Sequence, residues 1–262
     1  LTWLYYYIFT NKVRVKILFY WVTLTILSIP FIMFIIYKMN LLSLNNNNNN
    51  NNNDNDNGNE KTKSLTSSSL NFKRKIWHFL IFLIIIPTYN IDVNFIKIAL
   101  SGMIIIFIIL ELLRIVKLPP YGEFLNDLLY NFTDYRDRKG PVIISYIFLL
   151  IGVSLPLYLD NSISGIITLS IGDSFASLAG KKFGEIKWFN SNKTVEGTIS
   201  YIFSCFFVLV LLKQCNLVSE LQDKSINCLF LSATLSGLAE AISDLNDNIL
   251  TPAIMFIVQK VV

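Results

Sequence analysis

The chain has 262 residues, of which 53% are hydrophobic and only 15% are charged. Soluble domains carry about 25% charged residues, so this composition excludes an ordinary soluble globular protein. The net charge of +4 is small, and we interpret it as a signal of membrane orientation and not of nucleic-acid binding.

The N-terminal part of the chain combines one apolar segment with a polar tract. Residues 16–37 form a first apolar span with a predicted kink at Pro30, and residues 1–40 are predicted to be an N-terminal transmembrane segment. The tract that follows, residues 41–72, is rich in asparagine and serine. Such a tract cannot bury enough apolar surface to order itself, so it predicts a disordered linker.

Seven further apolar segments follow within residues 73–262. They cover approximately residues 76–87, 96–113, 141–159, 163–180, 197–212, 227–243 and 249–262. Long apolar runs of this kind predict membrane-spanning helices, whereas the alternating segments typical of a β-barrel are not seen. The predicted fold class is therefore all-α, a polytopic integral membrane bundle of about seven to eight transmembrane helices.

The basic residues are distributed unequally between the two predicted membrane faces. If the helices alternate in direction, residues 60–75, 114–140 and 181–196 share one face and hold most of the lysines and arginines. The loops on the other face carry only Lys213 and Lys224 as bases. By the positive-inside rule the basic face is cytosolic, and separate polar segments meet there.

Asp173 lies inside the apolar segment 163–180, about eight residues before Lys181. A carboxylate at this depth needs a partner such as a metal ion, a lysine or water. One interpretation is a packing residue that hydrogen-bonds to a neighbouring helix. The other is a functional residue, either a Mg²⁺ ligand or the base that takes a proton from a lipid alcohol.

A second candidate group, Lys193-Thr194-Val195-Glu196-Gly197, precedes the sixth predicted span. Thr194 and Glu196 can cap that helix, which is the structural alternative. The free N–H groups at a helix N-terminus also attract phosphate, and Lys193 would add a positive charge. The segment is not a P-loop, because that motif requires glycine where Asn192 stands.

Two further sites are candidates on the same face. The acidic turn containing Asp247 opposes the basic charge of that face, and divalent-metal binding would compensate it. His78 lies one helical turn after Arg74 and is either an interfacial histidine or a catalytic one. The cluster at residues 134–140 is either a solvated loop with internal ion pairs or part of the same site.

These residues occur in motifs that resemble the polyprenol kinase family of CTP-dependent lipid kinases. The similar stretches are Arg74–His78, Asp134–Asp137 with Gly140-Pro141, Tyr146–Pro156, Gly172–Ser177, Gly184–Trp188, Lys193–Thr198 and Asp247-Asn248 with Pro252. They cover most of residues 73–258 in the family's order. Residues 73–262 are accordingly interpreted as a polyprenol kinase-like transmembrane catalytic domain. Tyr135 stands where the family has glutamate, which excludes a carboxylate role there.

The resemblance implies transfer of the γ-phosphoryl group of CTP to the hydroxyl of dolichol, with Mg²⁺ or another divalent cation. It also implies a multi-pass location in the endoplasmic reticulum membrane with the site facing the cytosol, and a product used in protein N-glycosylation. We assign each candidate residue a role on this basis. The predicted catalytic residues are Asp173, Lys193 and His78, and the predicted metal ligands are Asp173, Glu196 and Asp247. The predicted nucleotide-binding residues are Lys181, Lys182, Gly184, Glu185, Lys187, Lys193, Thr194, Glu196 and Gly197.

Three other functions remain open on sequence alone. A CTP-dependent kinase could act on another lipid alcohol, such as phytol, farnesol or diacylglycerol. A phosphatidate cytidylyltransferase-like enzyme would use CTP but release pyrophosphate. A transporter with Asp173 as its ion site is disfavoured, because inverted repeats are not evident and the basic loop near Gly184 would be unexplained.

Overall fold

The computed structural model describes residues 2–50, 75–117, 142–143, 145–189, 193–243 and 246–262, with isolated positions at 119, 122 and 191. It divides into two compact units, Leu1–Trp77 and His78–Val262. Regular structure in the described ranges is helical, and the protein is an all-α membrane bundle, as predicted. An isolated antiparallel bridge joins Lys187 and Thr194.

The first unit contains helix α1, Thr2–Phe9, and helix α2, Lys12–Asn50. The stretch Lys12–Ile35 is long and apolar enough to cross a membrane, which agrees with the first predicted span. Of the predicted linker, residues 41–50 continue α2 as helix. Residues 51–72 lie outside the described residues.

In the second unit, six of the seven remaining predicted spans are each a single helix. They are α3 (Lys75–Tyr89, which begins in the first unit), α4 (Val93–Val116), α5 (Ser145–Asp160), α8 (Val195–Gln214), α9 (Ile226–Ile242) and α10 (Asp247–Val261). By length and apolarity α4 and α8 are candidate membrane spans, whereas α3, α5 and α9 are shorter apolar helices.

The predicted span at residues 163–180 is a composite helix. It consists of α6 (Ser164–Ile166), a π-helix (Ile167–Gly172) and α7 (Asp173–Phe183). All residues of α6 and the π-helix are buried. A π-helical turn widens the backbone and rotates the residues that follow it, and such turns occur frequently at functional sites. Asp173 is the first residue after this turn.

Gly172 closes the π-helix where α8 passes against it. A methyl group on Gly172 would lie 2.6 Å from the Tyr201 ring and 2.7 Å from Cys205 Sγ. Both neighbours are fully buried and have no room to retreat. The missing side chain therefore allows the two helices to approach closely beside Asp173.

We expect Gly172→Val to destabilise the fold by about 1–3 kcal/mol, because it overpacks this contact. The measurement is the thermal unfolding midpoint of the purified protein in detergent. Gly102→Ala in α4 is the matched control, since nothing lies within 4 Å of the added methyl group. An unfolding midpoint for Gly172→Val that equals that of the unchanged protein would contradict the proposed contact.

Candidate active site

The basic loop between α7 and α8 is a folded hairpin. Its two arms meet at the bridge between Lys187 and Thr194. The backbone N–H of Trp188 donates to the carbonyl oxygen of Lys193 at 3.0 Å, and the indole N–H of Trp188 donates to Thr198 Oγ1 at 3.0 Å. The hairpin therefore fixes the backbone of Lys193 at the start of α8.

The N-terminus of α8 is capped from within the chain. Thr194 is extended at φ −112° and ψ 149°, and its hydroxyl accepts a hydrogen bond from the N–H of Gly197 at 3.2 Å. The N–H of Val195 donates to Ile186 in the hairpin at 2.9 Å. The predicted capping role of Thr194 is confirmed. Because both N–H groups are already satisfied, this helix terminus has less capacity for phosphate than the sequence suggested.

Glu196 also joins the helix to the hairpin. Its Oε1 accepts the backbone N–H of Ile186 at 3.1 Å, whereas its Oε2 is buried and has no hydrogen-bond partner among the described residues. One carboxylate oxygen thus holds the hairpin. The metal-binding role that we predicted for Glu196 stays a prediction.

Lys193 reaches across to the opposite side of the site and binds two carboxylates. Its Nζ lies 2.8 Å from Asp247 Oδ2 and 2.9 Å from Glu240 Oε1, and it donates to the Glu240 carbonyl oxygen at 2.6 Å. Burial lowers the pKa of the Lys193 ammonium, but the charges of Glu240 and Asp247 outweigh that effect and raise its pKa above the ordinary value. Lys193 is therefore positively charged at neutral pH.

Asp173 and His78 form a second pair beside this one. His78 Nδ1 lies 3.5 Å from Asp173 Oδ2, and the side chain of His78 is 7% exposed against 22% for Asp173. The carboxylates of Asp173 and Glu240 are near enough to repel each other electrostatically. Glu240 thus links the two pairs. We call these residues the ionic cluster: His78, Asp173, Lys193, Glu240 and Asp247.

The ionic cluster gathers residues that are up to 169 positions apart in sequence, from α3, α7, the hairpin, α9 and α10. The alternation of spans had predicted that Asp173, Lys193, Asp247 and His78 would share one face, and the structure brings them together. Lys193 pairs with Glu240 and Asp247, and Asp173 lies beside His78. The cluster thus holds carboxylates of the kind that bind a divalent cation.

The other predicted nucleotide-binding residues lie on α7, in the hairpin and at the start of α8. Lys181, Lys182, Gly184, Glu185 and Lys187 are all exposed at the end of α7 and in the hairpin. In the part of the chain that the structure describes, neither Lys182 nor Lys187 forms an ion pair. These lysines can attract an anion to the surface of the site, and their role in nucleotide binding stays a prediction.

Close packing accounts for the presence of glycine at positions 184 and 197 without a ligand. A methyl group on Gly184 would lie 2.2 Å from the Gly180 carbonyl oxygen, and one on Gly197 would lie 3.1 Å from the Ala176 carbonyl oxygen. The two glycines therefore permit the close packing of α7, the hairpin and α8. Their predicted contact with the nucleotide is not tested by this packing.

The carboxylates of the ionic cluster fit a metal ion that is shared with a substrate. Among the described residues, no group of three or more histidine, cysteine, aspartate or glutamate side chains could hold a metal ion alone. Magnesium in kinases is bound by one or two carboxylates together with substrate phosphates. Asp173 and Asp247, next to the shared neighbour Glu240, can supply such carboxylates.

Sequence reasoning missed two buried glutamates, Glu240 and Glu111. Glu111 in α4 is 3% exposed and accepts four hydrogen bonds: two from Arg114, one from the Ile143 N–H at 2.6 Å and one from the Tyr146 hydroxyl at 2.6 Å. It thereby anchors the start of α5 to α4. Both glutamates stand in apolar segments. Ionisable residues are rare in such segments, so their presence indicates a functional or structural role.

The start of α5 is in turn connected to the start of α10. Asn248 Nδ2 donates to the Ser145 carbonyl oxygen at 3.3 Å, and Asn248 follows Asp247 directly. The Glu111 network is thus in contact, through α5, with the segment that carries Asp247. The predicted cluster at residues 134–140, Arg74 and Asn192 lie outside the described residues.

Comparison with known proteins shows which proteins the chain is similar to. No family model matches the chain, and no solved structure matches it. Curated dolichol kinases do match. The chain is 42% identical over 262 residues to dolichol kinase of Saccharomyces cerevisiae, which covers 100% of this chain and 45% of that protein.

Two further relatives agree. Dolichol kinase sec59 of Schizosaccharomyces pombe is 31% identical over 271 residues, covering 98% of this chain and 50% of the relative. Dolichol kinase EVAN of Arabidopsis thaliana is 31% identical over 196 residues, covering 70% of this chain and 34% of the relative. The chain thus spans half the length or less of these curated relatives. The resemblance to lipid kinases is confirmed, because the chain is similar over its whole length to curated dolichol kinases.

Proposed function

We propose that this chain carries the phosphoryl-transfer centre of a dolichol kinase, which moves the γ-phosphoryl group of CTP to the terminal hydroxyl of dolichol. The products are dolichyl phosphate and CDP. The observation that carries the proposal is the ionic cluster, in which Lys193 lies between Glu240 and Asp247 beside the pair Asp173 and His78. Phosphoryl transfer requires charge neutralisation and alignment more than covalent chemistry, and these residue types supply both.

Lys193 binds the triphosphate of CTP in this proposal. Its ammonium is positively charged and only partly exposed. All three of its N–H donors face oxygens of Glu240 and Asp247, so on nucleotide binding a phosphate oxygen replaces one of these acceptors. The exposed lysines Lys181, Lys182 and Lys187 attract the nucleotide to the same side. The capped terminus of α8 contributes less, because the N–H groups of Val195 and Gly197 already have acceptors.

Asp173 acts on the lipid hydroxyl. It accepts the hydroxyl proton while the alcohol oxygen forms its bond to the γ-phosphorus and the bond to the CDP oxygen breaks. CDP leaves with that electron pair. His78 lies at 3.5 Å from the Asp173 carboxylate and orients it.

A divalent cation such as Mg²⁺, when bound, would neutralise part of the charge on the triphosphate. Asp173 and Asp247 are the residues that would hold it, since both carboxylates lie near Glu240 in the ionic cluster. Glu196 is a weaker candidate because one of its oxygens already holds the hairpin.

The proposed location is the endoplasmic reticulum membrane with the ionic cluster facing the cytosol, where CTP is available. The excess of lysine and arginine in the segments on that side supports this orientation. The lipid substrate stays in the bilayer, and its phosphate would serve protein N-glycosylation.

The test is the fate of the γ-phosphorus of CTP. The expressed chain is reconstituted in proteoliposomes with Mg²⁺ and γ-labelled CTP, and dolichol is compared with phytol, farnesol and diacylglycerol. We expect label in dolichyl phosphate. Label in pyrophosphate would indicate a cytidylyltransferase, and label in the phosphate of another alcohol would indicate a different lipid kinase. Absence of label from all of these products would refute the proposal for this chain.

A further inference from the structure

An apolar groove lies between α5 and α10, with a cavity volume of about 170 Å³. Every described residue that lines it is apolar. Its floor consists of the buried residues Gly152, Pro156 and Pro252. Its rim includes Leu155, Leu159 and Ile257, which are 41%, 63% and 56% exposed. A groove with a buried floor and an exposed apolar rim opens outward from the bundle, toward the hydrocarbon of the bilayer.

One end of this groove is closed beside the ionic cluster. A methyl group on Gly152 would lie only 1.8 Å from the carbonyl oxygen of Asn248, so α5 and α10 are in backbone contact there. Asn248 follows Asp247, whose carboxylate binds Lys193. The lining continues to Leu159 on α5 and to Ile257 on α10, on the order of 10 Å along each helix. An apolar ligand chain that lies in the groove therefore has one end next to the ionic cluster.

The two prolines explain the shape of the groove. Each stands inside a helix, Pro156 in α5 and Pro252 in α10. Proline removes one helical hydrogen bond and bends a helix at the residues before it. Both prolines lie at the floor, just beyond the contact between Gly152 and Asn248. The helices can therefore touch at one end and separate toward the other.

The residue next to the closed end fits the hydroxyl end of a lipid alcohol. Asp247 precedes Asn248 there, and its carboxylate belongs to the ionic cluster. A lipid alcohol carries no charge and brings only a hydroxyl group, which can donate a hydrogen bond to a carboxylate.

We propose that this groove binds the isoprenoid chain of the lipid alcohol next to its hydroxyl group. The inference rests on the proposed function for its substrate class and adds the location of the lipid site. A volume of this size equals on the order of six water-sized volumes, so it holds only the first one or two isoprene units. The rest of the chain stays in the bilayer.

Photolabelling tests the location without requiring turnover. The probe is a polyprenol with a diazirine on the isoprene unit next to the hydroxyl, added to the reconstituted chain without CTP and irradiated. We expect labelled peptides from α5 and α10, and loss of label when excess dolichol is added. Label confined to other helices, or label removed equally well by phosphatidylcholine, would overturn the proposal.

A groove-filling variant gives the kinetic test. Ala253 lines the groove on α10, and Ala253→Phe should fill it. We expect the KM for dolichol to rise about tenfold with the KM for CTP unchanged, since only lipid binding is affected. Val261→Phe on the same helix, at a position 79% exposed and outside the groove, should leave both KM values unchanged. An unchanged KM for dolichol in Ala253→Phe would contradict the proposal.

The two tests separate this inference from the proposed function. If the probe labels α5 and α10 but no phosphate reaches dolichol, the lipid site stands and the kinase proposal fails. If phosphate transfer occurs but the probe labels other helices, the kinase proposal stands and the groove is not the lipid site.

Discussion

Lys193→Met is expected to reduce phosphate transfer from CTP to dolichol by about 10²-fold or more. The substitution removes a positively charged ammonium that stabilises the negative charge on the transferred phosphoryl group. The ammonium of Lys193 makes two ion pairs, at 2.8 Å to Asp247 and 2.9 Å to Glu240. Methionine keeps the apolar stem of the side chain and loses the charge together with the N–H donors to Glu240 and Asp247. The measurement is the initial rate of label transfer from γ-labelled CTP in proteoliposomes.

Two variants separate a catalytic effect from misfolding. Lys193→Met leaves two carboxylates without their counter-ion, so it is also combined with Glu240→Gln, which removes one of them and should restore the unfolding midpoint but not the activity. Lys260→Met is the matched lysine control. Lys260 lies near the C-terminus of α10, at the opposite end from Asp247, and pairs with Asp160 at 2.5 Å. Normal activity in the folded double variant would show that Lys193 does not bind the phosphates.

Asp173→Asn is expected to reduce the rate by about 10²–10⁴-fold, the usual contribution of a general base. Asparagine has nearly the same shape as aspartate, so the fold should persist. Its amide cannot take the proton of the lipid hydroxyl. If Asp173 acts on dolichol alone, kcat falls while the KM for CTP is unchanged. If it also holds Mg²⁺, the KM for CTP rises as well.

Asp92→Asn provides the matched control for this substitution. Asp92 caps α4 by accepting the N–H of Phe95 at 2.9 Å, and it lies beyond the far end of α3 from His78. Asparagine caps helices as well as aspartate does, so activity and stability should be unchanged. Full activity of Asp173→Asn in folded protein would remove Asp173 from the proposed centre.

The helices could be predicted from the sequence because each one carries an apolar run that the bilayer requires. The alternation of these runs also sufficed to bring Asp173, Lys193 and Asp247 to one face, since each crossing of the membrane reverses the side. That argument uses only the number of crossings. It contains no information on which side chains touch, so the contact of Lys193 with Asp247 could not be derived.

Glu240 and Glu111 show where sequence reasoning stopped. Each is a single glutamate inside an apolar helix, outside the motifs that carry the family resemblance. The rarity of charge in such helices could have drawn attention to them, but their partners come from packing. The π-helix before Asp173 was also not predictable, because it depends on the contact of Gly172 with Tyr201 and Cys205 across the helix pair.

The central claim is that the ionic cluster is the nucleotide site, and equilibrium binding tests it most directly. The ligand is a CTP analogue with a methylene group between its β- and γ-phosphates, with Mg²⁺ and the purified chain in detergent. We predict saturable binding by the unchanged protein and at least about tenfold weaker binding by the folded Lys193→Met, Glu240→Gln variant. Equal affinity in the two proteins would contradict this assignment.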